Sequence, residues 1–168
     1  MAFSLSTAFG QSNSFDDAAK QQAITMNKRL SFLMKYTEWP KNYTTGDFVI
    51  GVYGDEFLYK ELYSNHNGKS TGSQTLKVIR YISINEISDC HMLFVAKSKS
   101  NYIDQIHKKA DHNKTLIITN KPGLLDKGST YNLIPVNGRL KWEINLTKAK
   151  KYKFIIGEDL KKFAYKTI

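Results

Sequence analysis

Apolar residues recur along the chain with two different periods. Over residues 14–36 they fall three and four apart, at Ala19, Ala23, Met26, Leu30, Leu33 and Met34, the spacing that lines one stripe of a helix. Ser14 is placed to cap this helix, and Asp16 and Asp17 to favour its first turn, where carboxylates meet the positive end of the helix dipole. Pro40 pushes Trp39 out of helical geometry and ends the segment. Short apolar runs follow at 48–54, 75–82, 90–96 and 114–120. Between them lie helical segments at 56–63, a single turn near 84–88, and the amphipathic "NYIDQIHKKA". The run "CHMLFVA" is apolar throughout, as a strand covered on both faces requires. Strands alternating with helices at this spacing predict a largely parallel sheet between helical layers.

After "KPGLLDKGS" the rhythm changes. "TYNLIPV", then Asn137-Gly138, then "RLKWEINL" is a strong hairpin signal, because Asn-Gly supplies both positive φ angles of a type I′ turn. In the return strand Leu140, Trp142 and Ile144 share one face, expected beneath helices, and Arg139, Lys141 and Glu143 share the other, expected to be exposed. Asn145 is placed to cap a helix starting near Thr147. The expected fold is an α/β three-layer sandwich, with a mostly parallel sheet of about six strands, a C-terminal antiparallel hairpin and helices on both faces. At 168 residues the chain suits a single core, placed at residues 14–168.

Charge changes this picture little. The net charge is +10, but the 25 basic residues are scattered lysines with only Arg29, Arg80 and Arg139 as arginines. Arginine is the residue best shaped for paired contacts to phosphate or guanine, so solvated lysines explain the charge better than specific nucleic-acid binding. No apolar run approaches the roughly 20 residues that span a bilayer. The opening "MAFSLSTAFGQS" is small, apolar and uncharged, so residues 1–13 are expected to be the residual end of a signal peptide or a disordered N-terminus. The first alternative implies an exported protein. The single cysteine, Cys90, excludes an internal disulfide and a four-cysteine zinc site.

Candidate chemistry is sparse. "GVYGDEF" lacks the third glycine and helix-opening geometry of a dinucleotide loop, and "NHNGKST" lacks the first glycine and lead-in strand of a P-loop. His66, His91, His107 and His112 form no zinc-ligand pattern. Cys90 and His91 are neighbours on a strand and so point to opposite faces. The expectation is a buried structural Cys90, no catalytic residue, no cofactor, no metal, and a binding or regulatory role.

Several segments together resemble the YfiR-like family of bacterial exported proteins. "KYTEWP" is similar to the Trp-Pro end of that family's first helix, "FVIGVYGDEFLYKELY" to its first strand and helix, and "ISDCHMLFVAKS" to its central strand. The segment from "TLIITNKPGLL" through "RLKWEINLTKAKKYKFIIGEDLKKFA" resembles its C-terminal half. The resemblance implies a layered periplasmic α/β domain. It also implies a non-enzymatic role: the best-known member represses a membrane-bound diguanylate cyclase by binding its periplasmic part. Two departures stand out: members with further cysteines can form disulfides that this chain cannot, and the family's paired glycines before the fifth strand become Gly128-Ser129 here. The expected function is an exported regulator that binds and represses or modulates a membrane signalling protein, a diguanylate cyclase or sensor kinase. A periplasmic small-molecule sensor is the alternative, and an enzyme using Cys90 or a histidine a third reading; a homodimer is left open. The expected partner surface comprises Trp39, Arg139, Lys141, Glu143, Lys148, Lys151 and Ile155, with Cys90, Asn137, Gly138, Trp142 and Asn145 as structural residues.

Overall fold

The computed structural model describes residues 7–168, with side chains from Ser14 onward other than those of Asn42, His112 and Asn113. The first helix, α1, spans Thr7–Lys35. It begins upstream of Ser14, which therefore lies inside the helix rather than at its cap; no proline intervenes to stop it. Of residues 1–13, on which the signal-peptide expectation falls, 1–6 lie outside those described. The expected stripe is present: Ala23, Met26, Leu30 and Leu33 are buried. The chain continues through β1 (Thr37–Glu38), β2 (Asp47–Tyr53), α2 (Glu56–His66), β3 (Ser70–Thr71), β4 (Gln74–Tyr81), β5 (Met92–Val95), α3 (Ile103–Asn113) and β6 (Leu116–Thr119). It then forms β7 (Tyr131–Val136), β8 (Arg139–Ile144), α4 (Leu146–Lys151), β9 (Ile155–Ile156), α5 (Glu158–Lys162) and β10 (Lys166–Thr167).

Among the described residues the main sheet has eight strands in the order β10-β8-β7-β6-β5-β2-β4-β3. The middle five are parallel, and the expected hairpin β7–β8 is antiparallel. The strands beyond the expected six are β3 and β10, two-residue edges too short to carry an apolar pattern. From β2 the chain moves to β4 on one side and then crosses to β5 on the other, so the sheet is doubly wound with its switch point between β2 and β5. Asn137 (φ 49) and Gly138 (φ 72) supply the two positive angles of the hairpin turn.

Strand alternation distributes the core between two layers. Phe48, Ile50, Val52, Met92, Phe94, Leu116, Ile118, Leu133 and Trp142 pack with α1, α2, α4 and α5. Tyr53, Tyr81, Leu93, Val95 and Ile117 pack with Ile103, Ile106 and Ala110 of α3. The two layers are unequal because α3 covers its face alone, assisted by the loops around it.

A small second sheet, β1 against β9, fastens the C-terminal segment to the end of α1. Gly157 donates its N–H to the Tyr36 carbonyl at 2.8 Å. A Cβ on Gly157 would lie 2.9 Å from that same oxygen, so only glycine allows the approach. Thr37 on β1 is joined to the buried Tyr131 hydroxyl at 2.8 Å.

Cys90 lies just ahead of β5, is 4% exposed, and its carbonyl accepts from the Thr115 hydroxyl at 2.8 Å. Burial pushes its thiol up to about 12, so almost none is thiolate at neutral pH. Bulky thiol reagents are therefore expected to label the native protein only as fast as it opens, with full labelling in denaturant. Cys90→Ala should lower unfolding free energy by about 1 kcal/mol or somewhat more, measured by urea denaturation.

Candidate partner-binding surface

The start of β8 lies beside the polar side of α1, and the two enclose an open groove of about 710 Å³. Its floor is aromatic. Phe32 stacks on Trp142 with centroids 5.5 Å apart, and the Arg29 guanidinium lies over the Trp142 ring at 5.2 Å. The indole is held in place because its N–H donates to the Leu160 carbonyl at 3.1 Å. Lys28, Arg139 and Lys141 complete the lining with Thr25, Leu140 and Phe163, and no carboxylate is among them. Among the described residues none of these four cations forms an ion pair. Such a groove suits an apolar or aromatic group carried by an acidic molecule, through ring stacking and charge complementarity.

A second open groove, of about 510 Å³, lies between α4, β9 and α5. Leu146, Ala149, Phe154 and Ile156 give it an apolar lining, and Lys150, Lys153 and Lys161 contribute its charge. Ile155 at this groove is 61% exposed.

The residues expected at a partner surface are thus distributed over several places. Arg139 and Lys141 are exposed on the first groove, and Ile155 on the second. Glu143 corrects the expectation: it is 7% exposed, not a surface charge. Its strand face, which alternation alone left open to solvent, is covered by the segment between β6 and β7, whose Lys121 carbonyl accepts from Asn132 at 3.0 Å. Asn132 also donates to Glu143 at 2.8 Å and accepts from the Thr119 hydroxyl at 2.8 Å, giving a buried polar row across three strands. Ser129, where the family's second glycine would stand, has its hydroxyl 2.9 Å from that of Thr119 and joins this row. Lys148 is likewise turned inward. Its ammonium lies 2.9 Å from Asp111 and 4.9 Å from the centre of the Tyr152 ring. Lys151 remains exposed but shares Asp111 at 3.4 Å. Trp39 is half-buried and packs edge-on against Phe48 (4.9 Å) and Phe154 (5.9 Å), with its indole nitrogen buried. Asn145 caps α4 as expected, accepting from the Lys148 N–H at 2.7 Å. The contribution of Lys28, Arg29 and Phe32 was overlooked in the sequence. Their signal is a basic pair four and three residues before an aromatic, off the buried stripe of α1.

The switch point, where doubly wound sheets hold small ligands, is filled by the chain itself. Gly54 (φ 91) leaves room for the Lys99 side chain, the Ser98 hydroxyl donates to the Gly54 carbonyl at 3.3 Å, and the Lys99 ammonium lies 5.4 Å from the centre of the Tyr53 ring. The described histidines are built into the scaffold. His91 accepts the Val49 N–H at Nδ1 (3.1 Å), which leaves Nε2 to donate to the Tyr43 carbonyl (2.9 Å), and its ring stacks on Phe48. His66 bridges α2 to Asn27 (2.7 Å) and Ser31 (3.1 Å) of α1. Among the described residues no group of three or more His, Cys, Asp or Glu could hold a metal ion.

The layering and strand order define an α/β domain, and solved structures share that fold. One is a conserved domain protein from Vibrio cholerae O1 biovar El Tor, with a TM-score of 0.60 and 13% identity over 87% of this chain and 60% of that one. Another is an ABC domain in complex with L-Trp from Streptococcus pneumonia, with a TM-score of 0.53 and 14% identity over 71% of this chain and 55% of that one. The chain thus spans little more than half the length of either. No curated protein matches it in sequence. Residues 23–164 match the family model described as DUF4154, YfiR/HmsC-like, and the chain belongs to that family. The family is one of periplasmic, regulatory, non-catalytic proteins that act on diguanylate cyclases. No helix among the described residues is long and apolar enough to cross a membrane.

His107 of α3 yields a prediction about pH. Its Nε2 is buried without a partner, Lys148 lies 3.4 Å from Nδ1, and Gly128 packs against the ring. Burial first, and then the Lys148 charge, push this imidazole down to about 4. The unfolded chain therefore binds the proton more readily, and the stabilisation is complete above about pH 6.5 and is lost as pH falls towards 4. Melting temperature should fall over that window. His107→Gln should remove part of the slope, on the order of 2 kcal/mol after allowance for partial exposure.

Proposed function

We propose that this chain is an exported regulator that binds and represses or modulates a membrane signalling protein, such as a diguanylate cyclase, through the groove between α1 and the start of β8. The observation that carries the reading is the chemistry of that groove: Lys28, Arg29, Arg139 and Lys141 around a Trp142–Phe32 floor with no carboxylate in the lining. Burying an aromatic anchor between cations gives a partner both contact area and a charge requirement, the combination found at interface hot spots. Membership of a family whose members act on a membrane-bound cyclase makes such a partner the natural occupant. The sensor reading has less support, since Lys99 and Ser98 occupy the crevice at the switch point. Glu143 and Lys148 take no part, being engaged within the fold.

The test is the double replacement Arg139→Glu with Lys141→Glu, at two exposed positions, with circular dichroism to verify the fold. Affinity for the periplasmic part of the host's membrane cyclase should fall at least about tenfold, the effect of placing like charges against an acidic partner. An intact fold with unchanged affinity would remove this groove as the docking site.

A further inference from the structure

We infer that the α4–β9 side of α5 docks on a layer of anionic lipid headgroups. The open groove there has Phe154 and Ile156 in its lining and is bordered by Lys150, Lys153 and Lys161. At it Ile155 is 61% exposed. A bulky apolar side chain left in water beside lysines matches what an interfacial surface offers: an apolar boundary to enter and phosphates above it.

The charge is of the right kind for lipid. Residues 150–162 hold five lysines against two carboxylates, Glu158 and Asp159. Glu158 is paired with Lys161 at 2.7 Å, whereas Lys150 and Lys153 form no ion pair among the described residues. Lysine ammonium groups are compact charges on flexible stems and suit a diffuse layer of phosphates; the planar fork that selects a particular carboxylate belongs to arginine, and this groove has none. The docking involves no protein partner, and none of Lys150, Lys153, Ile155 and Lys161 lines the groove between α1 and β8.

Co-sedimentation of the full chain with vesicles tests it, using equimolar phosphatidylglycerol and phosphatidylcholine against phosphatidylcholine alone at low salt. The protein should pellet with the anionic vesicles only. Ile155→Ser, and separately Lys150→Glu with Lys153→Glu, should each raise the lipid concentration for half binding by about tenfold or more. Lys60→Ala and Lys77→Ala, at exposed sites elsewhere, should leave it unchanged. Absence of binding to anionic vesicles, equal binding to neutral ones, or indifference to both sets of substitutions would overturn the proposal. Retention on soluble polyglutamate without vesicle binding would also overturn it, in favour of an acidic protein surface.

Discussion

The C-terminal half of the molecule depends on burying one carboxylate in register. Glu143 lies directly opposite Asn132, and Asn132 directly opposite Thr119, so the three polar side chains meet on one face across β6, β7 and β8. A buried carboxylate is costly unless hydrogen-bonded, and a slip of one residue would carry Glu143 to the apolar face and Trp142 to the polar one. The Asn137-Gly138 turn and this row therefore enforce the same pairing from opposite ends of the hairpin. Once the register holds, Trp142 faces α1, where Phe32 and Arg29 meet its ring, and Asn145 arrives at the end of β8 to cap α4.

That register also determines where the surface chemistry appears. The Trp142 carbonyl accepts from the Tyr165 N–H, and its indole donates to Leu160, so the final segment is folded back over β8 from both sides. The close contact of Gly157 with Tyr36 brings the start of α5 against the end of α1. The groove between α1 and β8 brings together residues distant in the chain, whereas the second is built from residues 146–161 alone.

The imidazoles of His66 and His91 are hydrogen-bonded within the scaffold, and the Cys90 thiol is buried and pushed far from its reactive form. The crevice at the switch point holds the chain's own Lys99. The two open grooves are cationic and partly apolar, on the half of the sheet away from that crevice. A regulatory family with a membrane-bound target is consistent with such a surface.

Much of the fold was legible locally. The three-and-four spacing on α1, the unbroken apolar run of the central strand, the Asn-Gly turn and the Asn145 cap depend on neighbours in the chain, and those neighbours decide them. The resemblance to the YfiR-like family rested on the same short stretches in order. Three features were decided by contacts between distant segments. Alternation places Glu143 opposite Trp142 in direction, but whether that face meets water depends on the segment after β6 that closes over it. Lys148 reads as a surface charge until α3 brings Asp111 to it across the fold. The basic groove needs α1 and β8 side by side, more than a hundred residues apart in sequence. Periodicity tells which residues share a face; only tertiary packing decides what covers that face, because burial belongs to the assembled layers and not to any one strand.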